Sequence, residues 1–143
     1  MTREEAWCAA RRSQVSEYLA AEAARHGTKF GRVGDWPAWH VAPYVSVWAV
    51  ESVRAPGWVG WWVICGDLPT DYVGRRGLDH PRDALRAIAT RWLDYVPCLR
   101  AGHKHPDVAI GSGTPEPELA DLLERRARLL LDWAGDDSVW HED

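Results

Sequence analysis

Several residue types that most chains of this length use freely are scarce in this sequence. It has no asparagine, one phenylalanine, one methionine, two lysines and three cysteines in 143 residues. The cysteines (Cys8, Cys65 and Cys98) are far apart and form no CxxC pair, so they indicate neither a disulfide framework nor a zinc site. Reduced thiols in a cytoplasmic protein are the expected state.

Long apolar segments are also missing. No run approaches the roughly 18 apolar residues that a membrane-spanning helix needs. The first five residues are too polar for the apolar part of a signal peptide. We therefore expect a cytoplasmic protein without a membrane partner.

Positive charge is in slight deficit, with 17 Lys and Arg against 21 Asp and Glu and a net charge of -4. A non-specific nucleic-acid binder needs a basic surface, so nucleic acid is not an expected partner. The length and the apolar content predict one folded domain over residues 1–143, with residues 136–143 as an acidic tail.

The first predicted element is a helix over residues 3–26. Thr2 suits its N-cap, Glu4 and Glu5 lie in the first turn, where the helix dipole favours carboxylates, and Gly27 is a natural stop. Residues 28–43 are interrupted by Gly and Pro, which predicts an irregular segment. Its large aromatic residues indicate that it packs over the core as a lid.

Two strands are predicted next, at residues 44–53 and 58–65, from their β-branched and aromatic content. Ala55-Pro56-Gly57-Trp58 suits a type II turn between them. If that turn sets the register, Val50 faces Val63, Trp48 faces Cys65, and both sides of the hairpin are apolar. Because an antiparallel pair usually has one wet side, this hairpin is either covered on both sides or uses one side for binding.

The remaining chain is predicted to be mostly helical. Residues 67–79 form a loop with a short third strand at Tyr72-Val73, and a second helix begins near Pro81. Pro97 requires that helix to kink or end near Val96. A third helix begins at residues 114–116. The predicted fold is α+β, a short antiparallel β-hairpin packed with three α-helices in the order α-β-β-α-α.

Ten tryptophans against one phenylalanine are the most unusual feature of the composition. Most of them are expected to fill the core. Trp58 at the turn and Trp36 in the irregular segment are expected to be partly exposed, with Trp39 and His40 beside Trp36. Exposed indoles anchor partner proteins or stack on flat ligands, so these residues are candidate binding residues.

A second group of candidate residues follows the second strand. Two carboxylates and a histidine could hold a divalent metal or transfer protons, whereas the same aspartates also cap turns. The spacing matches no metal motif, so no metal, cofactor or catalytic residue is assigned, and an enzyme is not favoured. The candidates are Asp67, Thr70, Asp71, Tyr72 and His80.

Two other chemical signals are weak. His103 and His105 have no third ligand in view, so a metal site there is not expected. Cys65 lies in an apolar strand, where a thiol usually behaves as a small inert hydrophobe.

Two segments carry a resemblance to a known family, GDWPAWHVAPY at residues 34–44 and GWWVICGDLPTDY at residues 60–72. His80-Pro81-Arg82, Arg91-Trp92-Leu93 and the Leu-rich last helix extend it over nearly the whole chain. The sequence resembles a family of small bacterial proteins known only as a domain of unknown function, from which Pro97 is a departure. The resemblance implies a single-domain cytosolic bacterial protein and carries over no activity or catalytic residue.

Three functional hypotheses follow. The first is a non-enzymatic module that binds another protein, with a basic toxin as one partner that suits an acidic immunity-type or antitoxin-type domain. The second is a small-ligand binder or enzyme with a pocket between residues 36–40 and the turn at residues 67–72. The third is a purely structural or oligomerisation role through one apolar side of the hairpin, with a homodimer as one form of it.

Overall fold

The computed structural model describes residues 1–105 and 117–140. The class is α+β, as predicted, but the antiparallel sheet has four strands in the order β1-β2-β3-β4. The predicted start of the third helix and the last residues of the acidic tail lie outside the described residues. The elements are α1 (Arg3–His26), β1 (Trp39–Val41), β2 (Val45–Glu51), β3 (Val59–Gly66), β4 (Leu68–Gly74), α2 (Pro81–Ala101), α3 (Ala120–Gly135) and 3-10 turns at Pro117–Leu119 and Asp137–Val139.

The chain divides into two compact units, Met1–Pro81 and Arg82–Asp143. The first unit contains α1 and the whole sheet. The second contains α2, apart from its first residue, and α3. A single domain over residues 1–143 stays a prediction.

α1 begins and ends where the sequence predicts. The Thr2 hydroxyl accepts a hydrogen bond from the Glu5 N–H, and the Glu5 carboxylate accepts one from the Thr2 N–H, which completes a capping box. Gly27 ends the helix with a φ of 71°, and its N–H donates to the Ala23 carbonyl over 2.9 Å. Local signals are sufficient for this element.

The turn between β2 and β3 is present, but the register predicted from it is wrong. The Trp58 N–H donates to the Ala55 carbonyl over 3.0 Å, and Gly57 has a φ of 89°, as a type II turn requires. Val50 pairs with Trp61 instead of Val63. The difference arises beside the turn, where the Ser52 N–H donates to the carbonyl of Trp58, and a bulge between Val50 and Glu51 follows. Because the error is two residues, every side chain remains on its predicted side of the sheet.

Both sides of the hairpin are buried. On the side under α1, Trp48 and Val63 pack in one cluster with Val15 of the helix. On the other side, Val47 and Ile64 are equally buried. The hairpin is therefore covered on both sides.

Residues 28–37 form an edge of the sheet and are not a lid over the core; we call them the edge segment. The Gly31 N–H donates to the Glu51 carbonyl, the Gly34 N–H donates to the Ala49 carbonyl, and Val33 forms a bridge with Val50. The backbones approach so closely that a Cβ at Gly31 would lie 2.4 Å from the Glu51 oxygen. The glycines that indicated irregular structure therefore permit this pairing.

The predicted loop after β3 is also wrong in part, because residues 68–74 form β4. Ile64 pairs with Asp71, and Trp62 pairs with Val73. Pro69 is tolerated because β4 is an edge strand, where a missing N–H leaves no partner unpaired. The sequence predicted a loop here because Asp67, Pro69 and Asp71 are typical of turns. The strand forms because its backbone pairs with β3.

In the second unit, α2 continues through Pro97 and does not end near Val96. Arg82, near the start of α2, donates to the carbonyl of Ala134 near the end of α3. Arg100, near the end of α2, donates to Asp121 in the first turn of α3. The two helices are therefore antiparallel. One face of α2 is buried and consists of Leu85, Ile88, Ala89, Trp92, Val96 and Leu99.

Candidate functional site

The sheet separates the two groups of predicted site residues. Trp39 and His40 lie on β1 at one edge, and Thr70, Asp71 and Tyr72 lie on β4 at the other. With β2 and β3 between them, the edge strands are about 14 Å apart. A pocket between these segments would have to span the width of the sheet.

Neighbouring residues of each strand also point to opposite sides. His40 faces α1, whereas Trp39 faces away from it. Thr70 faces α1, where its hydroxyl accepts a hydrogen bond of 3.0 Å from the side chain of Gln14. Asp71 is buried on the other side, with 4% of its surface exposed. The predicted residues therefore do not converge on one concave site.

His40 is held between α1 and an exposed indole. Its Nε2 lies 2.5 Å from Oε1 of Glu4. Its ring stacks on Trp7 at a centroid distance of 6.4 Å and meets Trp36 edge-on at 5.4 Å. Trp36 is 48% exposed, so this cluster reaches the surface at the β1 edge of the sheet.

Trp58 lies at the tip of the β2–β3 hairpin and is 70% exposed. It lines a recess of about 190 Å³ together with Arg32, Gly34 and Glu51. The edge segment contributes Arg32 and Gly34 to this recess, and Trp36 follows Gly34 by two residues in the same segment. We call the surface formed by Trp36, Trp58 and the recess the indole edge.

A larger groove of about 580 Å³ lies on the α1 side of the edge segment. Its walls are α1 and residues 28–33, and Arg12, Lys29 and Arg32 line it. Arg32 also lines the recess beside Trp58, so the groove and the indole edge are continuous. Sequence reasoning missed the groove because its three cations are dispersed along the chain and the edge segment was interpreted as a lid.

The chain belongs to the family described as a domain of unknown function, DUF4826. The family model matches residues 2–140, which confirms the predicted membership of a family known only as a domain of unknown function. No curated protein and no solved structure matches the chain. Any function of this DUF4826 domain must therefore be argued from its own residues.

Two other predicted residues lie away from the indole edge. Asp67 is exposed in the β3–β4 connection, and its N–H donates to the Tyr44 carbonyl over 2.8 Å. His80 is half-buried immediately before α2. Neither residue lines the groove or the recess. Their roles in binding stay predictions.

Cys65 of the DUF4826 domain is fully buried beside polar groups. Its Sγ lies 3.3 Å from Oγ of Ser46, and the indole N–H of Trp48 donates to the same hydroxyl over 2.9 Å. Burial raises the pKa of the Cys65 thiol, and this outweighs the lowering by Ser46, Arg11 and Trp48. Because the thiolate is the nucleophilic form, a protonated thiol here acts as a packing group.

Residues 1–105 and 117–140 bring together no group of three His, Cys, Asp or Glu side chains that could hold a metal ion. Within the same ranges, no helix has the length and apolar character to cross a membrane.

Proposed function

We propose that this protein is a non-enzymatic interaction module that binds another protein through its indole edge. The observation that carries the proposal is the exposure of Trp58 and Trp36 in a unit that buries Trp48 completely. Burying an indole is favourable, and these two exposed indoles forgo that gain unless a partner covers them. Tryptophan is enriched among the residues that dominate binding energy at protein interfaces.

The indole edge is held in place before any partner arrives. Backbone hydrogen bonds attach the edge segment to β2, and His40 packs against Trp36. Little conformational entropy would therefore be lost on binding, which favours affinity. Arg12 donates to the carbonyls of Val33 and Gly34, which closes these acceptors to an added strand. Recognition by side chains is the mode that this surface supports.

The other two hypotheses have less support. A ligand pocket between residues 36–40 and 67–72 would have to cross β2 and β3. A homodimer through an apolar side of the hairpin would need a side that is free, and both sides are buried. If two copies do associate, the indole edge offers more exposed apolar surface than the hairpin sides.

The distribution of charge bears on the kind of partner. Met1–Pro81 has nine Lys and Arg against nine Asp and Glu, whereas Arg82–Asp143 has eight against twelve. The whole excess of -4 therefore belongs to the second unit. A basic toxin would be attracted electrostatically to the acidic unit Arg82–Asp143. The free cysteines suit the reducing cytoplasm in which we place this module.

The test is affinity capture from a lysate of the source organism, with the full chain as bait. We expect wild type to recover a stoichiometric protein partner and Trp58→Ala to recover roughly tenfold less. Trp36→Ala should also reduce recovery. Tyr44→Ala is the matched control, because Tyr44 is an exposed aromatic residue that does not line the recess or the groove.

Two results would contradict this proposal. One is a wild-type bait that captures no stoichiometric partner. The other is a partner that Trp58→Ala and Tyr44→Ala recover equally well, since binding would then not depend on the indole edge.

A further inference from the structure

We propose that the groove between α1 and residues 28–33 binds an extended acidic segment of the partner protein. An apolar side chain of the same segment would also enter the groove. This inference rests on the proposed function and names the chemistry of the partner. The groove is formed entirely by residues of the first unit.

The shape of the groove suits a chain better than a small molecule. It has a volume of about 580 Å³ but is open to solvent, since only α1 and the edge segment wall it. A small-molecule site usually buries most of its ligand, which an open groove cannot do. Its apolar lining comes from Leu19, Phe30 and Val33, and the small side chains of Ala20 and Ala23 leave room for a peptide to approach α1. An apolar side chain of the partner would rest on this lining.

The charge of the groove selects an acidic occupant. Arg12, Lys29 and Arg32 line it, and among residues 1–105 and 117–140 no carboxylate side chain lines it. Asp35 pairs with Arg32 at 2.6 Å and lies 3.8 Å from Arg12. Lys29 forms no ion pair within residues 1–105 and 117–140. Two of the three cations therefore share one carboxylate and the third has none, which is complementary to a carboxylate-bearing peptide.

The groove is also rigid. Arg12 joins its two walls through hydrogen bonds of 2.9 Å to the carbonyls of Val33 and Gly34. The Phe30 ring packs edge-on against Trp61 at 4.8 Å and against Tyr72 at 5.5 Å. A preformed groove costs a partner little reorganisation.

Nucleic acid is a poorer match than a peptide. Binding to nucleic acid relies on many phosphate contacts, and here three cations are available. Stacking of bases needs a free aromatic face, whereas Phe30 is engaged with Trp61 and Tyr72. The continuity of the groove with the indole edge at Arg32 and Val33 instead favours one protein partner that covers both.

The experiment measures fluorescence anisotropy of labelled probes with the full chain. The main probe is a peptide of alternating Glu and Leu, about ten residues long. Matched probes are a Lys and Leu peptide, a polyglutamate of the same length and a single-stranded oligothymidylate. We expect the Glu and Leu peptide to bind most tightly.

Two pairs of variants locate the binding. Lys29→Glu should weaken binding of the acidic peptide by about fivefold, whereas Arg76→Glu, which reverses an exposed cation outside the groove, should not. Ala20→Trp should block the groove without changing its charge. Ala21→Trp is its control, because Ala21 is exposed on α1 but does not line the groove. Circular dichroism checks that each variant is folded.

Several outcomes would overturn the inference. They are no binding of the acidic peptide, equal weakening by Lys29→Glu and Arg76→Glu, or no difference between Ala20→Trp and Ala21→Trp. If the oligothymidylate bound more tightly than the acidic peptide, the ligand of the groove would be nucleic acid and not a peptide.

The two proposals can fail separately. If Trp58→Ala loses the captured partner while the groove variants keep full peptide binding, only the groove assignment fails. If the groove variants lose the peptide while Trp58→Ala keeps the partner, the indole edge fails and the groove remains a peptide site.

Discussion

The imidazole of His40 lies 2.5 Å from the carboxylate of Glu4, and this contact ties the β1 edge of the sheet to the first turn of α1. At the opposite edge, the Gln14 side chain donates to Thr70 and ties β4 to the same helix. One helix therefore holds both segments that the sequence suggested as a site. They are joined by a covering helix and not by a shared pocket.

Removing the imidazole should loosen the β1 edge. We expect His40→Ala to lower the free energy of unfolding by about 1–2 kcal/mol, because it removes the contact with Glu4 and the packing against Trp7 and Trp36. Glu4→Gln should cost less than about 1 kcal/mol, since the carboxylate is more than half exposed. Urea unfolding followed by circular dichroism measures both. An unchanged midpoint for His40→Ala would show that the cluster does not stabilise the fold.

The close approach of the edge segment to β2 makes Gly31 difficult to replace. In Gly31→Ala the new Cβ would lie 2.4 Å from the Glu51 oxygen, so the backbones must separate. We expect a loss of about 2 kcal/mol or more and faster hydrogen exchange at Gly34. Gly74→Ala is the control, because its Cβ would meet no atom within 4 Å. Equal stability of the two variants would contradict the pairing described for the edge segment.

The hydrogen bond between Trp48 and Ser46 is buried. Ser46→Ala leaves the indole N–H without its acceptor, and we expect the free energy of unfolding to fall by about 1–3 kcal/mol. Ser13→Ala, on the exposed surface of α1, should change it by less than about 0.5 kcal/mol. Thermal unfolding of both variants provides the comparison. A cost for Ser46→Ala as small as that for Ser13→Ala would mean that Trp48 finds another acceptor.

Alkaline pH should destabilise the first unit. The pKa of Tyr18 is raised, first by burial and then by the charges of Asp71 and Glu22, and burial raises the pKa of the Cys65 thiol above its ordinary value. Each group therefore loses its proton more readily when unfolded. Their stabilising contribution is complete below the unfolded pKa values and is lost as the pH rises beyond them.

We expect the urea midpoint to decrease from pH 7 to pH 10 in wild type and to decrease less in Tyr18→Phe, which has no hydroxyl to ionise. The measurement is the slope of stability against pH. A slope in Tyr18→Phe equal to that in wild type would assign the alkaline loss to other groups.

Arg82 connects the first turn of α2 to the end of α3 and the residues that follow it. Its guanidinium donates to the Ala134 carbonyl and to Asp137, and it lies 5.7 Å from the centroid of the Trp140 ring. Lysine cannot reproduce this forked geometry, so Arg82→Lys should increase hydrogen exchange at residues 137–140 and cost about 1 kcal/mol. The exposed Arg125→Lys should change neither quantity. If hydrogen exchange at residues 137–140 were unaltered in Arg82→Lys, the positive charge at position 82 would be sufficient and the forked geometry of arginine would not matter.

The elements that were predicted correctly are marked by capping or turn residues at their own ends. Thr2, Glu5 and Gly27 mark both ends of α1, and Gly57 marks the turn of the hairpin. The register was wrong because Ser52 already pairs with Trp58 beside the turn, and the bulge at Glu51 then leaves a net error of two residues. Nothing in the residues of the turn indicates either feature. The alternation of side chains was still correct, since an error of two preserves their sides.

The candidate site was predicted only in part. The exposure expected for Trp36 and Trp58 is confirmed, whereas the acidic turn is largely an edge strand. Pro69 and Asp71 are typical of turns, and their local preference was outweighed by hydrogen bonding to β3. The cations of the groove gave no local signal, since Arg12 is on α1 and Lys29 is on the edge segment.

By itself, the sequence determined the helix α1, the turn at Gly57, the apolar character of both sides of the hairpin and membership of the DUF4826 family. These follow from short-range hydrogen bonding, backbone preference and residue pattern. The tertiary structure decided the strand register, the two edges of the sheet and the basic groove. The physical reason is that β1, the edge segment and β4 satisfy their backbone groups through β2 and β3, and that the charges of the groove come together only across α1 and the edge segment.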